Sequence, residues 1–110
     1  MENKYCFYSD DGYLHKIPME GERYLESEGN YVKFHGRSGY DLARLPFVLV
    51  LDLLYSEKLI QIHRSYAIFI EHVIAIGPKS VVVDTLEPTE IPLTKKYRPK
   101  LMDHIIILKA

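Results

Sequence analysis

Regularly spaced turn signals are the feature that most constrains how this chain can fold. Short apolar or alternating segments of four or five residues recur along it, separated by residues typical of tight turns. Asp11-Gly12 and Gly29-Asn30 are two such turns, because their residues tolerate a positive φ. Short strands at intervals of about ten residues predict an all-β sandwich or an open, barrel-like sheet. We therefore expect a mainly β fold of small antiparallel sheets.

The segment 59–66 shows how the strands are assigned. Successive side chains of a half-buried strand face opposite sides, so Ile60 and Ile62 are expected to point into the core, and Leu59, Gln61 and His63 away from it. Further strands are predicted on the same grounds in segments 5–8, 13–17, 24–27, 31–35, 40–42, 67–70, 72–76, 80–84 and 90–93.

Two helices interrupt this pattern. The segment 46–54 has Pro46 in its first turn and predicts one helix, although its β-branched residues leave a strand as an alternative. A short C-terminal helix is predicted near 99–104, because the residue before Pro99 avoids the helical region; a longer helix kinked at Pro99 is the alternative. The apolar residues 105–108 predict a final edge strand or a buried tail. The apolar positions of helical spacing in the first helix are Leu45, Val48, Leu49 and Leu53.

Length and composition place the chain in a broad class. Its 110 residues predict a single domain, 1–110. No apolar stretch approaches the roughly 20 residues of a membrane-spanning helix, so no membrane partner is expected. The polar start, Met1 to Lys4, predicts no secretory signal. The single cysteine, Cys6, excludes an intramolecular disulfide and indicates a reducing compartment, by default the cytoplasm.

Several kinds of reactive site are disfavoured by the residue spacing. Five histidines and one cysteine show no metal-ligand pattern. No serine has the glycine-flanked elbow of a nucleophile, and no glycine-rich phosphate loop precedes a helix. We therefore expect neither an enzyme nor a bound cofactor or metal.

The charge distribution is informative, although the net charge is only −1. No global positive field indicates nucleic-acid binding. Local groups of cations exist nevertheless. Four lie close together near the C-terminus, and three more are assigned to other loops. They are Lys95, Lys96, Arg98 and Lys100, and then Lys33, Arg37 and Arg64.

The strand end 63–65 has two interpretations. A guanidinium and a hydroxyl next to an imidazole could hold a phosphate or a base edge. Alternatively, His63 and Ser65 satisfy neighbouring backbone groups and Arg64 is a solvated surface cation. The turn at Asn30 similarly exposes an amide near Lys33, and these side chains read adenine and guanine edges.

Three segments, 24–35, 62–66 and 91–97, occur together in an order that resembles the LytTR-type DNA-binding domain. The resemblance covers about residues 13–105. It implies small antiparallel sheets with a helix between the second and third segments, and loops that enter successive major grooves of duplex DNA. The motifs read Glu28-Gly29-Asn30-Tyr31-Val32-Lys33, Ile62-His63-Arg64-Ser65-Tyr66 and Ile91-Pro92-Leu93-Thr94-Lys95-Lys96-Tyr97.

The resemblance also implies partners and contact residues. Such domains are usually the output half of bacterial two-component response regulators and commonly recognise paired direct repeats in promoters. It thus implies a receiver domain or sensor kinase as partner, and a homodimer on DNA. The implied DNA-binding residues are Asn30, Tyr31 and Lys33 in the first segment, His63, Arg64 and Ser65 in the second, and Lys95, Lys96 and Arg98 in the third.

Two positions depart from the family pattern. Phe69 stands where the family usually has an asparagine, and Lys95 stands where it has an arginine, which loses the bidentate fork that reads guanine. Phe69, the near-neutral charge and the apolar residues 105–108 together suggest an alternative. In it, the chain is a protein-interaction or signalling module that kept the fold and lost its DNA affinity.

Overall fold

The computed structural model describes residues 5–56 and 58–110. Met1 to Lys4, whose polarity predicts no secretory signal, lie outside the described residues, as does position 57. Ten strands and two α-helices occur within the described ranges. In chain order they are β1 Cys6–Asp10, β2 Tyr13–Ile17, β3 Tyr24–Glu28, β4 Tyr31–His35, β5 Tyr40–Ala43, α1 Phe47–Leu53, β6 Leu59–His63, β7 Tyr66–Phe69, β8 Val73–Ile76, β9 Ser80–Val83, β10 Thr89–Pro92 and α2 Arg98–Met102.

The strands form three antiparallel sheets, which confirms the predicted fold class. The central sheet has the order β5-β4-β3-β7-β6, β8 to β10 form a three-stranded sheet, and β1 pairs with β2. The two helices lie where they are predicted, near 46–54 and 99–104. Neither is long and apolar enough to cross a membrane.

Both faces of the central sheet pack against an apolar core. On one face, a first core joins Ile60, Ile62 and Ile68 to the three-stranded sheet and to Leu101 of α2. On the other face, a second core joins residues of β3, β4, β5 and β7 to the β1–β2 hairpin and to α1. The buried members of the second core are Ile17, Leu25, Val32, Phe34, Ala43, Val50 and Ala67.

This double burial corrects one prediction for β6. Ile60 and Ile62 are buried as expected. Leu59, expected to point away from the core, instead packs half-buried against the second core. The alternation of side chains is right, but both faces of this strand have an apolar neighbour.

The β1–β2 hairpin confirms the turn predicted at its tip. Asp11 has φ 50° and Gly12 has φ 80°, the two positive values that a two-residue hairpin turn of type I′ requires. Cys6 pairs with Ile17 at the open end and Asp10 with Tyr13 next to the turn. The hairpin covers the second core through Ile17.

The buried face of α1 differs from the one that the spacing of Leu45, Val48, Leu49 and Leu53 indicates, since only Leu45 of this set packs against the second core. Val48 and Leu53 are 69% and 71% exposed, and Leu49 is also exposed. The helix is apolar around most of its circumference, so more than one set of positions fits helical spacing, and packing on the sheet selects the face. The residues that contact the second core are Phe47, Val50, Leu51 and Leu54.

The C-terminal residues 105–108 are neither an edge strand nor a buried tail. They form no regular element, and Ile106 and Leu108 are 89% and 91% exposed. The chain leaves α2 at Met102 and makes no ladder with an edge of the described strands. The prediction of a helix between the second and third motif segments is also wrong. That stretch contains most of β7, a 3₁₀ turn, β8, β9 and the start of β10, and α1 precedes the second segment.

Candidate nucleic-acid interface

The three motif segments meet at one end of the central sheet. Because β3 and β6 run in the same direction, the turns that follow them, at Gly29-Asn30 and Arg64-Ser65, lie at the same end. The Ser27 amide donates a hydrogen bond to the Ser65 carbonyl at 2.8 Å, and the Thr94 amide donates to the Ile62 carbonyl at 3.0 Å. The middle segment is therefore flanked by the other two. We call this the loop end, formed by residues 29–31, 63–65 and 94–96.

The first loop contributes an exposed amide and an exposed phenol. Asn30 lies in the turn, beside Gly29 with φ 61°, and Tyr31 opens β4. Lys33, assigned to a loop by sequence, instead lies within β4, and its Nζ is 2.6 Å from Glu28 Oε1. The hydrogen bond to Glu28 raises the pKa of Lys33. Lys33 is thus already paired, and a phosphate would compete with a carboxylate for it.

The middle loop is shaped by the histidine that precedes it. The Ser65 amide donates to His63 Nδ1 at 3.0 Å, so Nδ1 is the acceptor and the proton of the neutral ring lies on Nε2. Nε2–H therefore remains as a donor. The Arg64 side chain is exposed, and its guanidinium makes no ion pair or hydrogen bond with another described residue. The loop thus offers a fixed backbone and an exposed cation.

A carboxylate on β3 supports this loop from within the sheet. Glu26 accepts hydrogen bonds from the Tyr66 hydroxyl at 3.3 Å and from His35 Nε2 at 2.8 Å. The His35 ring stacks on Tyr24 at 4.1 Å, and the Tyr66 ring meets His63 edge-on at 5.4 Å. Desolvation and the Glu26 charge raise the pKa of Tyr66, which keeps its hydroxyl a donor. The network holds the base of the loop end rigid.

The third loop contains two exposed lysines, and Arg98, which opens α2 just after it, has a structural contact. Lys95 and Lys96 are exposed, and Lys96 Nζ lies 5.5 Å from the centre of the Tyr97 ring. Arg98 is half-buried, and its Nη1 donates to the Gly77 carbonyl at 2.7 Å. That bond ties α2 to the turn between β8 and β9. Arg98 therefore has a structural partner, whereas Lys95 and Lys96 are exposed.

Arg98→Ala is expected to lower the free energy of unfolding by about 1.5 kcal/mol, because the variant cannot form this hydrogen bond from a charged donor. Urea denaturation measures the change. Lys100→Ala is the matched control, since Lys100 is exposed on the same helix. It should change stability by less than about 0.5 kcal/mol. Equal effects of the two variants would contradict a structural role for Arg98.

Phe69, which departs from the family pattern, lies away from this surface. It ends β7 at the opposite end of the strand from Arg64-Ser65 and packs half-buried against the second core. Its amide donates to the Arg23 carbonyl at 3.0 Å. The aromatic side chain is therefore part of the core packing and does not alter the loop end.

The structure adds one cation that the sequence motifs did not include. Arg44 follows β5, whose last residue, Ala43, pairs with Val32 near the start of β4. Arg44 is exposed and shares a cleft of about 510 Å³ with Tyr31. No motif marks this position. Only the register of β5 against β4 could have brought it to the loop end.

A rigid sheet end with exposed cations, amides and hydroxyls on three adjacent loops has the features of a nucleic-acid-binding domain. The sequence profile of the family described as the LytTr DNA-binding domain matches residues 12–106, so this chain belongs to that family. The predicted resemblance is confirmed.

The proteins similar to the chain include a bacterial regulator and a solved domain. The CO-responsive transcriptional regulator RcoM of Rhodospirillum rubrum is 27% identical, over 82% of this chain and 44% of that regulator. The chain thus spans less than half of this relative's length. A solved LytTr DNA-binding domain from Bacillus cereus matches with a TM-score of 0.73 and 15% identity, over 94% of this chain and 97% of that one. The second likeness shows the shared fold.

Proposed function

We propose that this chain binds specific sites on double-stranded DNA as a transcriptional regulator, through loops that enter the major groove. The observation that carries the proposal is the convergence of the three motif segments at the loop end, with Arg64 and Lys95 exposed there. Cations on adjacent loops neutralise phosphates, and a guanidinium can also bond a guanine edge at two atoms. The proposal involves neither a catalysed reaction nor a cofactor.

The other side chains of the loop end divide by chemistry. Asn30 suits the two-atom contact with adenine, and His63 Nε2–H suits an acceptor on a base or phosphate. Contacts with the DNA phosphates fit the remaining side chains, the Tyr31 and Ser65 hydroxyls and the Lys96 ammonium. Lys33 and Arg98 are the weakest candidates of the predicted set. Each already has a partner in the protein, Glu28 and the Gly77 carbonyl respectively.

The similarity to a transcriptional regulator supports the regulatory part of the proposal. We propose the cytoplasm as the compartment, because bacterial chromosomal DNA is there. A receiver domain or sensor kinase as the source of the signal, and two copies of the chain on promoter direct repeats, belong to the same proposal.

Selection of genomic DNA fragments by the purified chain tests the proposal. We expect the retained fragments to share a short sequence, and expect mobility shifts with the recovered duplex to need less protein than with a scrambled duplex. Specific affinity typically exceeds non-specific affinity by about 10³ or more in full regulators. Failure to retain any DNA at about 50 mM salt would overturn the proposal.

Lys95→Ala is expected to weaken binding to selected and scrambled duplexes by similar factors, because an ammonium acts as a point charge and reads sequence weakly. The logarithm of the association constant falls linearly with the logarithm of salt concentration, and we call the steepness of this line the salt slope. The salt slope should decrease by about 0.9, the value for one phosphate contact. Lys95→Arg restores the family residue and should favour a guanine at one position of the selected site. Weaker binding to the selected duplex alone would show that Lys95 contacts a base.

A second candidate is a protein-interaction module that kept the fold. The exposed apolar residues of the tail, Ile106, Ile107 and Leu108, favour it. Phe69 does not, because its ring packs against the second core. The fragment selection separates the two functions, since an interaction module would retain no DNA under the same conditions.

A further inference from the structure

We propose that Arg44 is a further phosphate-binding residue of the loop end, and that Asp10 and Asp11 at the tip of the β1–β2 hairpin compete with DNA for it. This inference rests on the proposed function. It adds a fourth chain segment to the DNA-binding surface. It also places two carboxylates of the same chain where they compete with a DNA phosphate for Arg44.

The position of Arg44 follows from the strand register. Ala43 pairs with Val32, so the chain leaves β5 beside the first loop, next to Tyr31. Arg44 is exposed, and within residues 5–56 and 58–110 its guanidinium forms no ion pair or hydrogen bond. An exposed arginine that lines a cleft together with Tyr31, a predicted contact residue, is placed to meet a phosphate that flanks the first loop.

The hairpin tip brings two carboxylates to the same cleft. Asp10 ends β1, Asp11 occupies the turn, and both are exposed. They line the cleft together with Arg44 and Tyr31. A carboxylate and a phosphate offer a guanidinium the same bidentate acceptor geometry. Because both carboxylates line the same cleft as the Arg44 guanidinium, a DNA phosphate that binds Arg44 must compete with their negative charge.

The contribution of Arg44 is tested on a duplex of random sequence, where base readout plays no part. Arg44→Ala should lower the salt slope of affinity by about 0.9. It should also weaken binding at about 50 mM salt by about 3- to 10-fold. Arg37→Ala is the matched control. Arg37 is an exposed arginine in the turn between β4 and β5, at the opposite end of the sheet, and its carbonyl bond to the Leu86 amide survives the substitution.

The competition is tested with the double variant Asp10→Asn, Asp11→Asn. Asparagine tolerates the positive φ of position 11, so the turn is preserved, and circular dichroism and the melting temperature check this. We expect affinity to rise about 2- to 5-fold, as for the removal of exposed, partly screened charges. Added to Arg44→Ala, the same two substitutions should produce no gain.

Each outcome decides the inference. Equal behaviour of Arg44→Ala and Arg37→Ala, or no gain from the asparagine variant, overturns it. A gain that persists in the Arg44→Ala background also overturns it, because the tip would then repel DNA without acting through Arg44. If the unaltered chain binds neither the random nor the selected duplex, the proposed function itself fails and the inference fails with it.

Discussion

Arg64→Ala is expected to bind the selected DNA duplex about 5- to 150-fold more weakly than the unaltered chain, a change of about 1 to 3 kcal/mol in binding free energy. Arg64 lies at the centre of the loop end, and its guanidinium makes no ion pair or hydrogen bond with another described residue. The turn that carries it is fixed by the bonds from the Ser65 amide to His63 Nδ1 and from the Ser27 amide to the Ser65 carbonyl. The guanidinium is therefore exposed to solvent, whereas hydrogen bonds fix the backbone of the turn that carries it. Fluorescence anisotropy with the selected duplex measures the change.

Two further variants decide what Arg64 contacts. Arg64→Lys keeps the charge and removes the planar fork, so it should restore binding to a scrambled duplex but not to the selected one. Arg37→Ala, at the opposite end of the sheet, should bind both duplexes as the unaltered chain does. An effect of Arg64→Ala no larger than that of Arg37→Ala would contradict a DNA contact at position 64.

The second large effect concerns a buried acid. Glu22 is 3% exposed, and its Oε2 has no hydrogen-bond partner among the described residues. Burial, and then the charge of Asp41, raise the pKa of Glu22 to about 7, although Arg23 acts in the opposite direction. The folded chain therefore holds a proton at Glu22 at pH values where the unfolded chain has released it.

Glu22→Gln is expected to remove a pH dependence of stability worth about 3 kcal/mol. For an acid whose pKa is raised on folding, the stabilisation is present below about pH 4.5, declines as the pH rises and is lost above about pH 7. At low pH the variant and the unaltered chain should have the same free energy of unfolding. At pH 8 the value for the variant should be higher by up to about 3 kcal/mol. Urea denaturation across this range gives the difference.

Glu20→Gln provides the comparison, because Glu20 lies two residues away and is exposed. It should leave the pH dependence of the unaltered chain in place. A free energy of unfolding for Glu22→Gln that falls with pH as steeply as that of the unaltered chain would show that Glu22 ionises normally in the folded state.

Most of the strands could be predicted from the sequence, because each depends on local chemistry. The tip at Asp11-Gly12 required positive φ values, which these residues supply. The burial of Val32 and Phe34 follows from strict alternation within β4. The two helix positions followed from Pro46 and Pro99, which mark where a helix can begin.

The sequence did not determine which of several similar apolar surfaces is buried. The face of α1 was misassigned because its exposed and buried sides are both rich in leucine and valine. Leu59 was expected to face away from the core. Alternation assigns residues to the two faces of a strand, but it does not show whether one face or both pack against a core. Both depend on packing between segments far apart in the chain.

The candidate site shows the same limit. The motifs identified Arg64 and Lys95, but their proximity depends on the hydrogen bond between Thr94 and Ile62, which joins residues 32 positions apart. The sequence placed Arg98 among the DNA-binding residues, with no local sign of its bond to the Gly77 carbonyl. Arg44 was missed because no motif surrounds it and only strand register brings it to the loop end.

The salt dependence of DNA binding tests the central claim most directly. We expect the logarithm of the association constant for the selected duplex to fall linearly with the logarithm of salt concentration. Alanine at Arg64 or Lys95 should reduce the slope by about 0.9 for each phosphate that the native side chain neutralises, whereas Arg37→Ala should leave it unchanged. Affinity that does not vary with salt, or equal slopes for all three variants, would contradict DNA binding through the loop end.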